Sequence, residues 1–339
     1  MESNLIVEHV AKESVDVAQT HVRIYRPFLF DDYMYQTKFT PLYKYHNNLK
    51  NMINFEKHIK NNIINIVNME FAHDDKKVCF VINDKRKKEI FISIFQLLKS
   101  SSSQINLTIK KNTFHIQGMD KSHVCLFDLK LYFEWFNYYE VNKQYEMCFD
   151  SGTFHSIIST KCDDQALVFY LEDENTDILF IELKNNETET VKKGDYNKFF
   201  KLPLLDYEYQ QMVIPNTDYD AEFTLPSKKV TDMLSQLSNF GDNLNIKCSE
   251  DCVDFKASGN SVEMRVNIPT DDMSSYAIVE DEIIDLTYSL IYVSKMCVTN
   301  KLTDDIDFSL SNDSPMKINY NLGNDSSLMF YIAPKISDD

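Results

Sequence analysis

An internal repeat constrains the fold of this chain more than any other feature. Residues 107–118 and 244–259 both consist of a strand pattern, a polar turn, an alternating strand and a glycine. Each follows a helical pattern of apolar residues, over about residues 85–99 and 228–240. Ser227 is the predicted N-cap of the second helix, and Gly241 is its predicted C-terminal stop.

The second halves of the two units also correspond. A strand, a short helix and two further strands are predicted in each, at 145–149, 151–160, 167–171 and 178–183, and again at 283–288, 289–299, 306–310 and 316–322. The offset is about 137–139 residues in both comparisons, since position 109 matches 246 and 172 matches 311. A constant offset of this kind is typical of a duplicated architecture. We therefore predict two copies of one β-rich domain, each with two helices.

Four segments follow from this repeat. Residues 73–184 and 221–339 are the two predicted domains, and residues 185–220 are the connector between them. Residues 1–72 differ in kind, because eight aromatic residues fall between Tyr25 and Tyr45. Two interpretations stay open: a lineage-specific extension that packs on the domain surface, or a docking arm, since aromatic residues dominate the anchors of protein interfaces.

Composition argues against catalysis and against a cofactor. The six glycines contain no Gly-x-Gly spacing, so a phosphate-binding loop of the Rossmann or Walker type is excluded. The seven cysteines contain no Cys-x-x-Cys, and the eight histidines do not group with them at metal-ligand spacing. The 339 residues contain no apolar run of membrane-spanning length and no signal peptide. We expect a soluble, intracellular, non-enzymatic protein with reduced thiols and no metal.

The positions of the charged residues lead to a different prediction from the net charge. A net charge of −17 would argue against nucleic acid as a partner. However, Lys85–Lys88 and Lys228–Lys229 place cations in the first turns of two predicted helices, where the helix dipole disfavours each by about 0.3–1 kcal/mol. Lys161, Lys295 and Lys301 lie in or just after the other two helices. A solvated charged face is the alternative for any single lysine, but the shared bias predicts a surface that meets phosphates.

Three motifs resemble one known family. Gly118-Met-Asp-Lys-Ser-His-Val124 and the tail Leu328-Met-Phe-Tyr-Ile-Ala-Pro-Lys-Ile-Ser-Asp-Asp339 both resemble signatures of proliferating cell nuclear antigen, the eukaryotic-type DNA sliding clamp. Met212-Val-Ile-Pro-x-x-x-Tyr219 is similar to the connector motif of the same family. The resemblance spans about residues 76–336. It implies an α+β DNA-clamp fold of two similar β-rich domains, each with two helices on one face, in a head-to-tail ring of three subunits.

The resemblance also implies three sets of site residues. The helices would line the hole and contact double-stranded DNA through Lys85, Arg86, Lys87, Lys88, Lys99, Lys161, Lys228, Lys229, Lys295 and Lys301. Client proteins would insert a short peptide into a pocket formed by Met119, His123, Val124, Met212, Ile214, Pro215, Tyr219, Pro315, Tyr331, Ala333, Pro334 and Lys335. The subunit interface would include the strand edges at 178–183 and 262–268, with Ile178, Phe180, Tyr196, Val262 and Met264. For His123 and Tyr331, a purely structural role is the alternative.

The implied function is that of a homotrimeric clamp. It would act as a polymerase processivity factor and as a docking platform for the clamp loader and for replication and repair proteins. The expected location is the nucleus, or a cytoplasmic replication factory if the chain is viral. Two other interpretations stay open: a subunit of a heterotrimeric checkpoint-type clamp, and an interaction protein that kept the fold but not the DNA.

Overall fold

The computed structural model describes residues 76–172, 176–185, 196–206, 212–215 and 217–335. They belong to the second of the two units into which the chain divides, residues 73–339. The predicted extension, residues 1–72, lies outside the described residues, so both interpretations of it stay open. In the described part of the chain, no helix is long and apolar enough to cross a membrane.

The described residues form four α-helices and eighteen β-strands. The helices are α1 (Lys85–Ser101), α2 (Ser151–Ser159), α3 (Ser227–Leu237) and α4 (Leu290–Met296). The strands before residue 204 are β1 (Lys76–Ile82), β2 (Gln104–Lys110), β3 (Thr113–Met119), β4 (Cys125–Tyr132), β5 (Tyr138–Val141), β6 (Tyr145–Asp150), β7 (Gln165–Glu172), β8 (Ile178–Asn185) and β9 (Lys198–Pro203). The later strands are β10 (Ala221–Pro226), β11 (Asn243–Cys248), β12 (Cys252–Ser258), β13 (Glu263–Pro269), β14 (Ser275–Ile278), β15 (Ile284–Ser289), β16 (Asp305–Ser311), β17 (Ser314–Gly323) and β18 (Ser326–Ile332).

The strands form three antiparallel sheets. The first copy contributes a five-stranded sheet in the order β5-β1-β7-β8-β9, and the second copy a four-stranded sheet in the order β13-β12-β11-β15. The third sheet has nine strands in the order β14-β10-β16-β17-β18-β4-β3-β2-β6 and contains strands of both copies. It is continuous because β18 of the second copy pairs with β4 of the first.

Three phenylalanines in each copy demonstrate the duplication at the level of packing. Phe80 stacks on Phe169 with 4.7 Å between ring centroids, and Phe114 meets Phe80 edge-on at 5.5 Å. In the second copy Phe223 stacks on Phe308 at 5.1 Å, and Phe255 meets Phe223 edge-on at 6.0 Å. These six buried rings give three pairs of equivalent positions: Phe80 and Phe223, Phe114 and Phe255, Phe169 and Phe308. The predicted repeat is therefore confirmed.

The N-terminal caps of the helices differ from the one cap that sequence reasoning predicts. The Asp84 carboxylate caps α1 by accepting a 2.8 Å hydrogen bond from the Lys87 amide, and Asp150 does the same for Thr153 in α2. The prediction that Ser227 is the N-cap of α3 is wrong, because Ser227 is the first helical residue and its hydroxyl donates to the Thr303 carbonyl.

The predicted role of Gly241 is wrong in a related way. The helix ends at Leu237, and Gly241 does not have the positive φ of a glycine stop. A Cβ at this position would lie 2.5 Å from the Ser258 carbonyl oxygen. Glycine is therefore needed because the backbone of β12 approaches closely, not because the helix needs a left-handed residue.

The four helices form one layer. α1 packs on α2, α3 packs on α4, and α1 also contacts α4 across the boundary between the two copies. Arg86 at the start of α1 reaches the Asp304 carboxylate at 3.4 Å, and the Ser101 hydroxyl lies 3.9 Å from the sulfur of Met296. All four helices are therefore neighbours, in the order α2-α1-α4-α3, and their exposed sides share one surface.

Candidate functional site

An apolar cleft of about 230 Å³ lies where the connector crosses the nine-stranded sheet. It is lined by nine residues of the predicted client-binding set, namely Met119, His123, Val124, Ile214, Pro215, Tyr219, Pro315, Tyr331 and Ala333. We call this cleft the client pocket. Its walls come from four segments of the sequence: the end of β3 with the turn into β4, the connector, the start of β17, and the end of β18 with the residue after it.

The connector is held over the sheet by one buried side chain. The Gln117 amide donates a 3.0 Å hydrogen bond to the Met212 carbonyl and accepts one of 2.8 Å from the Met212 amide. Gln117 is 3% exposed, so both bonds are shielded from water. Met212 therefore anchors the connector and does not line the client pocket, whereas Ile214 and Pro215 do.

The turn between β3 and β4 is organised by Asp120. Its carboxylate accepts hydrogen bonds from the Ser122, Val124 and Cys125 amides and from the Tyr292 hydroxyl of α4. Desolvation, the largest effect, would raise the pKa of Asp120, but these bonds outweigh it and lower the pKa. His123 adopts a φ of 57°, which is uncommon for a residue with a side chain. The turn thereby aims His123 and Val124 into the client pocket.

The chain after β18 closes the pocket and then leaves it. The Ala333 amide donates to the Val124 carbonyl at 3.0 Å, which extends the pairing of β18 with β4. The Lys335 amide donates to the Thr287 carbonyl of β15 at 2.7 Å, and the Lys335 ammonium reaches Asn243. Sequence reasoning predicts that Pro334 and Lys335 contact clients, but in the structure they lie beyond the lining of the pocket.

Four lining residues were missed by sequence reasoning: Leu126, Val213, Thr217 and Ser314. Leu126 pairs with Met119 across β3 and β4 and with Tyr331 across β18 and β4, a register that becomes visible only in the assembled sheet. Val213 is 92% exposed at the rim, and its position between Met212 and Ile214 was the only available signal.

The helix layer carries most of the predicted DNA-contacting cations on its exposed side. Lys85, Arg86, Lys99, Lys228, Lys229, Lys295 and Lys301 are exposed, and Lys87 is half-buried with its ammonium 5.6 Å from the centre of the Trp135 ring. The Lys99 ammonium lies 3.0 Å from Nδ1 of His155. Burial, followed by the charge of Lys99, lowers the pKa of His155, so this imidazole favours the neutral form. α2 itself contains no lysine or arginine.

Lys88 is a correction to the predicted DNA-contacting set. Its side chain is only 1% exposed, and its ammonium donates to the carbonyls of Asp163 and Gln165 at 2.9 and 2.7 Å. Burial, followed by the charge of Lys161, lowers the pKa of Lys88. Lys88 therefore ties α1 to the turn after α2 and cannot reach a phosphate.

Lys161 is the second correction. Its side chain is 8% exposed, and its ammonium lies 3.7 Å from the Asp163 carboxylate. Because this charge is largely enclosed and already paired, it adds little to the exposed surface of the helix layer.

The predicted interface strand at 178–183 is also wrong. β8 is paired on both sides, with β7 and with β9, so Ile178 and Phe180 lie inside the five-stranded sheet. Among the described strands the edge is β9, which lies in the segment that sequence reasoning assigns to the connector. Sequence reasoning missed it because its charged residues and terminal proline weaken the alternating pattern.

The other predicted edge is present. β13 is the last strand of the four-stranded sheet, and among the described residues it pairs with β12 alone. Met264 lies on it, and Val262 comes just before it with 56% of its side chain exposed. Tyr196 precedes β9, and its carbonyl accepts a 2.8 Å hydrogen bond from Gln165. Within the described residues, no group of three or more potential ligands could hold a metal ion.

Comparisons with known proteins agree with the duplicated fold. The model of the proliferating cell nuclear antigen N-terminal domain matches residues 84–209, and that of the C-terminal domain matches residues 213–335. Proliferating cell nuclear antigen of Chaetomium thermophilum is 27% identical over 255 residues, which cover 74% of this chain and 96% of that protein. Proliferating cell nuclear antigen 2 of Plasmodium falciparum is 26% identical over 258 residues, covering 74% and 97%.

A solved structure supports the same fold. The crystal structure of proliferating cellular nuclear antigen from Entamoeba histolytica matches with a TM-score of 0.67 and 21% identity, and the match covers 77% of this chain and 100% of that one. The predicted α+β DNA-clamp fold is thus confirmed. Because the two domain models together cover most of the described residues, the chain belongs to the proliferating cell nuclear antigen family of non-enzymatic DNA sliding clamps.

Proposed function

We propose that three copies of this chain close head to tail into a ring around double-stranded DNA. In that ring the helix layer faces the DNA, and the client pockets face outward. The ring would act as a processivity factor for a replicative polymerase and as a docking platform for the clamp loader and for replication and repair proteins. The nucleus, or a viral replication site, is its proposed location.

The main support for this proposal is the strand pairing that joins the two copies inside the chain. Inside the chain, β18 pairs with β4 and joins the copies into one sheet. The equivalent of β18 in the first copy is β9, and the equivalent of β4 in the second copy is β13. Both β9 and β13 are sheet edges. A second molecule can therefore repeat the internal junction, which is a head-to-tail contact of the kind that closes rings.

The equivalent phenylalanines also set the register of that contact. In the first copy, one row across β7, β8 and β9 contains Phe169, Ile181 and Phe200. In the second copy, the equivalent row across β16, β17 and β18 contains Phe308, Ile318 and Phe330. Phe200 is thus the counterpart of Phe330.

The same reasoning identifies the partner positions. Leu131 pairs with Phe114 and Val266 pairs with Phe255, so Leu131 and Val266 are counterparts. Phe330 pairs with Phe127, four residues before Leu131. The ring should therefore pair Phe200 with Val262 and Lys198 with Met264 of the next subunit, and continuing the register brings Tyr196 opposite Val266.

Charge supports the DNA-facing role of the helices. Among the described residues, six exposed cations lie on the helices of one layer, and Lys301 follows α4, in a chain whose net charge is −17. Lysines predominate over arginines there, as suits phosphate contacts that carry no base readout and let a protein slide. The excess acid elsewhere would disfavour DNA on the other surfaces.

Light scattering on the purified protein tests the ring. Three 39.7 kDa chains give a mass of about 119 kDa. A stable monomer at micromolar concentration would remove the self-closing ring, and a trimer only in the presence of a second chain would favour the checkpoint-type alternative.

A further inference from the structure

A second groove lies beside the client pocket, on the other side of the connector. It measures about 580 Å³ and is lined by Lys110, Thr113, His115, Asp128 and Lys130, among others. Val213 and Ile214 line both this groove and the client pocket. A peptide that fills the client pocket therefore needs to pass only these connector residues to enter the polar groove.

Two ammonium groups of this groove have no acidic partner among the described residues. His115 and Asp128 bind each other, with 2.7 Å between Nε2 and the carboxylate oxygen. In the same part of the chain, neither Lys110 nor Lys130 forms an ion pair, and Lys130 instead lies 4.9 Å from the centre of the Tyr132 ring. The groove is thus locally cationic on a strongly acidic chain.

At the equivalent positions of the second copy, the cations have acidic partners. By the alignment of the phenylalanines, Lys247 corresponds to Lys110, and Arg265 corresponds to Lys130. Lys247 lies 3.8 Å from the Asp285 carboxylate, and Arg265 lies 2.5 Å from that of Asp254. Across the described residues, both cations are paired in the second copy and unpaired in the first. The difference leaves two cations of the first copy available to a carboxylate that the described residues do not supply.

We propose that the polar groove binds an acidic side chain of the same client peptide that fills the client pocket, through the ammonium groups of Lys110 and Lys130. This inference rests on the proposed client pocket. It adds a charge preference: clients of this clamp carry glutamate or aspartate beside their apolar anchor. The selectivity arises from charge complementarity, which steers and discriminates partners more than it adds affinity.

Three fluorescent synthetic peptides test the preference by anisotropy. All share one helical turn of apolar side chains, chosen to match the apolar lining of the client pocket, and they differ only in paired glutamate, glutamine or lysine residues on both flanks. The glutamate peptide should bind about three- to tenfold more tightly than the glutamine peptide at low salt, as expected for partly exposed charge pairs. That ratio should shrink towards one as the salt concentration rises.

Matched variants locate the effect. In Lys110→Gln/Lys130→Gln the preference should disappear while the glutamine peptide binds as before. The control Lys247→Gln removes the charge of the second copy that is equivalent to Lys110, on a strand outside the proposed ring joint, and should keep the preference. Equal binding of the glutamate and glutamine peptides to the unmodified clamp, or a preference that survives Lys110→Gln/Lys130→Gln, would overturn the inference while the client pocket stands. Binding of none of the three peptides would remove the client pocket itself, and the inference with it.

Discussion

The first and second copies of the clamp domain share one architecture but differ at the strands that join them. In the first copy, β4 is paired with β18 of the second, whereas no described strand pairs with the outer edge of its counterpart β13. In the second copy, β18 is paired with β4, whereas no described strand pairs with the outer edge of its counterpart β9. A duplicated domain with one internal junction leaves both halves of a second junction unused. The pairing of β18 with β4 inside one chain therefore shows how β9 of one chain and β13 of another can pair.

The largest expected effect is the loss of stability when a buried phenylalanine is removed from either of the two aromatic cores. We expect Phe114→Ala and Phe255→Ala each to lower the free energy of unfolding by about 3–5 kcal/mol, because each removes a buried ring. Phe114 also contacts Phe91 and Phe136, whereas Phe255 contacts Phe223 and Phe308 alone among the described rings. The loss should therefore be greater for Phe114→Ala. Urea unfolding measures both, and equal losses would show that the two cores are energetically alike.

The free edges give the next effect. Val262 is 56% exposed in the single chain but should be buried in the ring, so Val262→Asp should reduce the mass in light scattering from about 119 to 39.7 kDa without unfolding the chain. Val279 is 45% exposed and follows β14, which belongs to a different sheet from β9 and β13, so Val279→Asp is the matched control. A trimer that survives Val262→Asp would place the joint elsewhere.

The helix layer and the outer sheets can be compared by charge reversal. Lys228→Glu/Lys229→Glu should weaken DNA binding and lower the slope of its salt dependence by about one for each phosphate that is no longer neutralised. Lys247→Glu/Lys256→Glu makes the same change on the outer sheet and should leave binding unchanged. Fluorescence anisotropy across a salt series measures both. An unchanged slope for Lys228→Glu/Lys229→Glu would contradict the DNA-facing role of the helices.

The smallest expected effect concerns the Asp120 turn. Tyr292→Phe removes one hydrogen bond to Asp120 and should cost about 1 kcal/mol. The pKa of Asp120 is lowered in the folded chain, so its ionised form contributes stability above the ordinary carboxyl range and loses it as the pH falls through the folded pKa. Asp120→Asn should therefore be less stable than the unmodified protein at pH 7 and should approach it at acidic pH in urea unfolding. If the difference in stability between Asp120→Asn and the unmodified protein did not change with pH, ionisation of the Asp120 carboxylate would not be what stabilises the turn.

Local periodicity and motif order were enough to predict the repeat, the four helices and most of the client pocket. The turn at Gly118–Val124 and the tail at Leu328–Ala333 could be placed because each has a distinctive order of residues. Burial could not be predicted in the same way. Lys88 sits beside three other cations in sequence, and only the turn at Asp163–Gln165, about seventy-five residues away, turns it into a buried donor.

The strand edges were the least predictable feature. Whether Ile178 and Phe180 lie on an edge depends on whether another strand pairs with β8, and the candidate strand is short and charged. Edge identity is a property of the assembled sheet, and no pattern within β8 contains it.

Disulfide trapping at the predicted register tests the central claim most directly. Lys198 should lie opposite Met264 of the next subunit, at a distance that a disulfide can span. Under mild oxidation, Lys198→Cys/Met264→Cys should form covalent trimers on a denaturing gel, whereas Lys198→Cys/Val262→Cys, two residues out of register, and the unmodified protein should not. Cross-linking of the out-of-register pair in preference to the predicted pair, or the absence of any cross-link, would contradict a ring that closes by repeating the internal junction of β18 with β4.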